Sequence, residues 1–145
     1  MSKSMSKLIF VNLPVTDLAR SIAFYESIGA RKDPRFCDDS GACMVFSDTI
    51  HAMLLTHDKF RQFTNKKIVD AKTNSEVLIA LSADSRDDVD SMISKAKKAG
   101  ATLDPVPEQD YGVMYGRSFE DPDGHIWEVM WMDVEAFLAA TSPAV

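Results

Sequence analysis

The stretch Val15-Thr16-Asp17-Leu18-Ala19-Arg20-Ser21-Ile22-Ala23-Phe24-Tyr25-Glu26-Ser27-Ile28-Gly29-Ala30 decides how the rest of this 145-residue chain is read. Thr16 is expected to cap a helix, with Asp17 favourable in its first turn. Leu18, Ile22, Tyr25 and Ile28 recur at helical spacing and predict one buried stripe. Gly29 supplies the stop. A helix over 17–28 follows. Shift the chain by 71 residues and the same punctuation returns. Asp17 falls on Asp88, Leu18 on Val89 and Ile22 on Ile93. Gly29-Ala30 falls on Gly100-Ala101, and Asp33-Pro34 on Asp104-Pro105. Ser85 with Asp88 resembles a capping box and opens a second helix over 86–99. Its stripe is Val89, Ile93, Ala96 and Gly100, flanked by Met92 and Ala99. One unit is used twice.

Strand runs flank both helices. Leu8 to Val15 is apolar, and further strands are expected near Arg35 to Asp38, Ala42 to Phe46 and His51 to Thr56. In the second half they fall at Glu76 to Ala83, near Thr102, at Val113 to Phe119 and at His125 to Met132. Asp39-Ser40-Gly41, Ser47-Asp48 and Asp121-Pro122-Asp123-Gly124 are turn chemistry between them. The expected organisation is a single domain. Module 1 spans about 7–58, a polar connector about 59–74, module 2 about 75–132 and a tail 133–145. The connector reads as a crossover that holds a short helix or, alternatively, acts as a lid. The tail carries a helical pattern from Val134 to Ala140, ended by Pro143. Val11, Leu13, Leu18, Ile22, Tyr25, Val89, Ile93, Trp127 and Val129 are expected between helices and sheet.

Composition excludes several classes of function. Sixteen Lys and Arg against 22 Asp and Glu give a formal charge of −6. Nucleic acid and anionic membranes would repel such a chain. No apolar run approaches the ~20 residues of a membrane span. The start, MSKSMSK, lacks an apolar targeting core, so no secretory signal is expected and the cytoplasm is the expected compartment. Its repeated MSK carries no fold information. Cys37 and Cys43 are expected as a reduced pair. No Gly-rich phosphate loop is present, and neither Ser21 nor Ser118 has a motif-based His or Lys partner for nucleophilic catalysis.

The run Phe119-Glu120-Asp121-Pro122-Asp123-Gly124-His125-Ile126-Trp127-Glu128 adds a second ordered motif, F-x-D-P-D-G-x-x-W-E. Together with Val15–Ala30 it resembles the vicinal oxygen chelate superfamily, which includes glyoxalases, bleomycin-resistance proteins and extradiol dioxygenases. The likeness spans Leu8 to Met132 and is nearest to lactoylglutathione-lyase-related proteins of unknown reaction. It implies an α+β fold: two tandem βαβββ modules forming a curved mixed sheet around a cavity. It also implies four metal-ligand positions, here Phe10, Leu54 or a near neighbour, Leu78 and Glu128. Only Glu128 has a ligand side chain, so the expectation is no metal and no cofactor. Strand alternation, counted from Leu54 and Glu128, turns His51, His57 and His125 away from the cavity.

The same alternation predicts the lining. Leu8, Phe10 and Asn12 come from the first strand, and Ile126, Glu128 and Met130 from the last, joined by Leu54 and Leu78. Such a pocket suits a small, partly apolar ligand. Tyr111 and Tyr115 are candidate hydrogen-bonding groups. Arg117 is a candidate partner for Glu128 or for an anionic ligand; a solvated hairpin with an ion pair is the alternative. The expected function is a small-molecule-binding protein of the bleomycin-resistance kind, acting as a homodimer. A second reading makes Glu128 the catalytic base of a divergent lyase or isomerase on a small carbonyl compound. A third is a metal-dependent lactoylglutathione lyase or dioxygenase with displaced ligands.

Overall fold

Strong helix punctuation and the D-P-D-G turn both appear in the computed structural model, which describes residues 6–141. The chain divides after Ala71 into two compact units. The first contains β1 (Ile9–Val15), α1 (Leu18–Ser27), β2 (Arg31–Asp38), β3 (Gly41–Val45), β4 (Ile50–Thr56) and the one-turn α2 (His57–Phe60). The second contains β5 (Ile79–Ser82), α3 (Arg86–Lys98), β6 (Thr102–Leu103), β7 (Gln109–Asp110), β8 (Met114–Glu120), β9 (Ile126–Met132) and α4 (Val134–Thr141). The first sheet runs β1-β4-β3-β2, and the second runs β5-β9-β8-β6 with β7 also paired to β8. In each, the strand before the long helix lies parallel to the last strand, and the other pairs are antiparallel. This is the βαβββ unit twice, in an α+β chain. The short β7 is an addition that the sequence reading lacked. The MSK repeat lies mostly, and the Pro143 stop wholly, outside the described residues.

Capping explains the helix limits, with one correction. Asp17, not Thr16, caps α1: its carboxylate accepts the Arg20 N–H at 3.0 Å. Asp17 is the residue with extended backbone, where an N-cap sits, and its carboxylate oxygen reaches the N–H three residues on. Ser85 caps α3 as expected, accepting from the Asp88 N–H at 3.0 Å. Gly29 and Gly100 follow both helices with φ of +105° and +92°, a conformation that favours glycine.

Burial follows the expected faces closely. Leu13, Tyr25, Val89, Ile93, Trp127 and Val129 are core. Val11, Leu18 and Ile22 are half-buried. Ser21 and Phe24 take the inner positions instead, so the buried face of α1 is rotated by about one residue from the Leu18–Ile22 stripe. No helix among the described residues is long and apolar enough to cross a membrane.

Candidate functional site

The geometry of the second unit starts at the D-P-D-G turn. Asp121 is buried, and its Oδ1 accepts the backbone N–H of Asp123 at 3.0 Å and of His125 at 2.8 Å. Gly124, at φ +96°, donates its N–H to the Asp121 carbonyl at 3.0 Å. This closed turn sets the β8–β9 register: Glu120 opposite Ile126, Ser118 opposite Glu128, Gly116 opposite Met130. Residues opposite one another in an antiparallel ladder share a face. Gly116, Ser118, Glu128 and Met130 therefore share one face. Tyr115, Arg117, Phe119, Trp127 and Val129 share the other, against α3.

A cavity of about 40 Å³ opens on the Glu128 face. Val106, Pro107 and Gln109 wall it beside Gly116, Ser118, Glu128 and Met130, and Arg117 borders it. At ~10–15 Å³ per water, it holds a group of about three or four heavy atoms. Gly116 keeps this space open, because an added Cβ would lie 3.3 Å from Met130 Cγ. Ser118 is only 1% exposed, and no donor or acceptor among the described residues reaches its hydroxyl.

On the opposite face, Arg117 is held by carboxylates. Its Nη2 and Nε lie 2.8 and 3.3 Å from Asp104, its Nη1 3.5 Å from Asp90, and Glu108 is 4.0 Å away. The Asp104 hydrogen bond, above all, raises the Arg117 pKa further. Tyr115 donates to Asp90 at 2.6 Å, and burial first, then that bond, push its hydroxyl up to about 12. Arg86 lies over the Tyr115 ring at 4.3 Å and grips Asp110 at 2.6 and 3.0 Å.

The family model described as "Glyoxalase/Bleomycin resistance protein/Dioxygenase superfamily" matches residues 7–129. This chain belongs to that superfamily. Among solved structures, a hypothetical protein from S. aureus has 24% identity and a TM-score of 0.72, covering 88% of this chain and 95% of its own. A glyoxalase/bleomycin resistance protein/dioxygenase family enzyme from Burkholderia phytofirmans has 20% identity and a TM-score of 0.69, covering 88% and 99%. The fosfomycin resistance protein FosX from Listeria monocytogenes has 20% identity and a TM-score of 0.66, covering 91% and 98%. At these identities the likeness is one of fold. A search of curated protein sequences finds no significant match.

Among the residues expected to line a glyoxalase-superfamily pocket, Glu128 and Met130 border this cavity. Arg117 borders it too, but its guanidinium is held by Asp104 and Asp90 on the α3 face, so the candidate Arg117–Glu128 pair does not form. Tyr115 is turned to α3 as well, and Tyr111 is exposed at the tip of the β7–β8 hairpin. For Tyr115 and Arg117 the cause is shared: odd-numbered β8 residues lie on the same face as Trp127 and Val129, the core residues of β9. Leu78 precedes β5 and is exposed.

In the first unit, β4 lies parallel to β1 with Leu54 beside Leu13 and His51 beside Phe10. Leu54 is thus fully buried in the helix-side core, not on the face of Phe10 and Asn12. His51 is on Phe10's face: it does point opposite to Leu54, but Leu54 itself lies on the helix side and not on the expected cavity side. Their rings stack at 4.4 Å and 16°, and His51 Nδ1 lies 3.1 Å from the Ile9 carbonyl, to which it must donate. Val106, Pro107, Gln109, Gly116 and Ser118 were missed. Counting back from the D-P-D-G turn finds Gly116 and Ser118; no local signal marks Val106 or Pro107.

Proposed function

We propose that this glyoxalase-superfamily protein binds a small, partly apolar molecule through its second unit, without a resident metal. One observation carries the reading: Glu128 faces a small cavity whose other walls are mainly hydrocarbon. Glu128 is half-buried there, and a carboxylate among Val, Pro and Met side chains gives up part of its hydration unless it is paired or used. The donor chemistry at the four positions implied by the superfamily pattern does not fit a metal. Phe10 and Leu78 offer hydrocarbon, Leu54 is core, and a lone carboxylate is a poor site for Zn or Fe. Metal analysis of protein purified without added metal tests this, with Zn, Ni, Fe and Mn expected far below one per chain. A stoichiometric ion lost in Glu128→Gln would instead support a metal-dependent lyase or dioxygenase with displaced ligands.

Thermal-shift screening of small molecules then tests binding, since a ligand of the folded state raises its melting temperature. A second reading keeps Glu128 as the base of a divergent lyase or isomerase on a small carbonyl compound. It is favoured by the carboxylate facing a cavity large enough for one carbonyl group. Under it, Glu128→Gln binds the substrate and loses turnover. We also place the protein in the cytoplasm as a homodimer, which light scattering of the purified chain checks.

A further inference from the structure

The segment from Asp104 to Asp110 is pinned at both ends by arginines. Arg117 holds Asp104 through Nη2 and Nε, at 2.8 and 3.3 Å. Arg86, the first residue of α3, holds Asp110 through Nη2 and Nη1, at 2.6 and 3.0 Å. Residues 105–108 between them belong to no strand, and β7 adds only the pairs Gln109–Gly116 and Asp110–Tyr115. Arg117 shares the face of Tyr115, and Arg86 lies over the Tyr115 ring, so both clamps sit on the α3 side of the sheet. Val106, Pro107 and Gln109 instead wall the Glu128 cavity. The segment is thus a strap, fastened on one face and closing a space on the other.

That space is too small for a whole ligand. Its volume is about 40 Å³, whereas a site that encloses a small molecule spans roughly 300 Å³ or more. A wall must move. β8 and β9 are paired along their full length and backed by α3, so they are the fixed walls. The strap has neither support, and its clamps are unequal. Arg117 is 22% exposed and meets Asp90 and Glu108 as well as Asp104. Arg86 and Asp110 are each 41% exposed, and an ion pair so open to water holds weakly and is screened by salt. The Asp104 end is therefore the firm one and the Asp110 end the one that yields. We infer that the 105–109 strap is the movable wall of the cavity and that the Arg86–Asp110 pair is its latch, a role that rests on the reading of this cavity as a ligand site. The latch sets how readily the site admits a molecule larger than the closed space.

Amide hydrogen exchange of the full chain, followed by NMR, tests the latch. Arg86→Met should speed exchange at Gln109 and Gly116 about 3-fold, the weight of one exposed ion pair. Asp110→Asn should act in the same direction. Raising NaCl to about 0.5 M should speed these amides in the wild type and leave Arg86→Met unchanged. Two neutral probes, acetone and acetophenone, then test the gate through the shifts of the Glu128 and Met130 amides. Acetone fits the closed space; acetophenone, with a phenyl ring in place of a methyl, does not. Arg86→Met should bind acetophenone about 3-fold more tightly, because less of the affinity is lost to opening, and acetone with unchanged affinity. A substitution that merely loosened the fold would not tighten the larger probe alone. Exchange at Gln109 and Gly116 that ignores both Arg86→Met and salt overturns the latch, whatever the probes do. Acetophenone bound no more tightly by Arg86→Met than by the wild type overturns the gate. Glu128 and Met130 amides that respond to neither probe overturn the ligand site itself, and the gate with it.

Discussion

Arg117 stands among Asp104, Asp90 and Glu108, and its side chain is only 22% exposed. Charge-assisted hydrogen bonds in such a setting are stronger than neutral ones. Asp104 also holds a positive φ of 49°, which a non-glycine residue adopts at a cost. Its bidentate partner helps to hold it there. Arg117→Met should therefore lower unfolding stability by about 1–2 kcal/mol in urea titrations, discounted for partial exposure. Its neighbour Tyr115 makes a pH-dependent contribution. Its hydroxyl is held near 12 in the folded chain against an ordinary value near 10. The native state thus keeps a proton that the unfolded chain gives up. The associated stability is complete below about pH 10 and is lost as pH rises toward 12. Tyr115→Phe should flatten that alkaline decline; an unchanged slope would assign it to other groups.

At the scale of elements, the β8–β9 hairpin sets which side chains meet. Asp121→Ala would orphan the N–H groups of Asp123 and His125 beside a buried turn. A loss of about 2–3 kcal/mol is expected, read by chemical denaturation. Broadened NMR signals at Ser118 and Glu128 should accompany it, because register here depends on the turn. The same hairpin shows how far the sequence could be read. Glu128's face was legible because the motif is rigid and alternation runs straight through β9. The faces of Tyr115 and Arg117 were equally legible, since the turn pairs Glu120 with Ile126 and all else follows by steps of two. In β4 no such anchor exists. Leu54 and Leu55 are both apolar and both buried, so composition gave no parity, and only pairing with β1 decides it. The helices were legible from their caps and glycine stops. The segment Val106–Gln109 was not, because the strand that places it beside the cavity, β7, is only two residues long and offers no alternation to read.

Across the whole molecule, each unit holds one strongly acid-shifted carboxylate. Asp33 in the first is nearly buried and is drawn down to about 2, chiefly by the hydrogen bonds of Arg35 at 2.7 and 3.0 Å. Asp110 in the second is drawn to about 2 by Arg86 first and by the Gly112 N–H next. Unfolded aspartates titrate near 4. A depressed folded value means that the unfolded state binds the proton more readily. The stability so gained is therefore present above about pH 4 and is lost as pH falls toward 2. Self-repulsion acts in the same direction, because the charge of −6 at neutral pH reverses once the 22 acidic groups are protonated beside 16 Lys and Arg. Both units should thus weaken in one acid window, although their ion pairs are independent. Melting temperature followed by circular dichroism from pH 5 to 2 should fall for the wild type. Asp33→Asn and Asp110→Asn should each start lower at neutral pH and fall less steeply, and the double variant least steeply of all. Additive effects are expected, since the two pairs share no partner. Curves for the double variant that run parallel to wild type would remove these two carboxylates as the source of acid sensitivity and leave net charge as its cause.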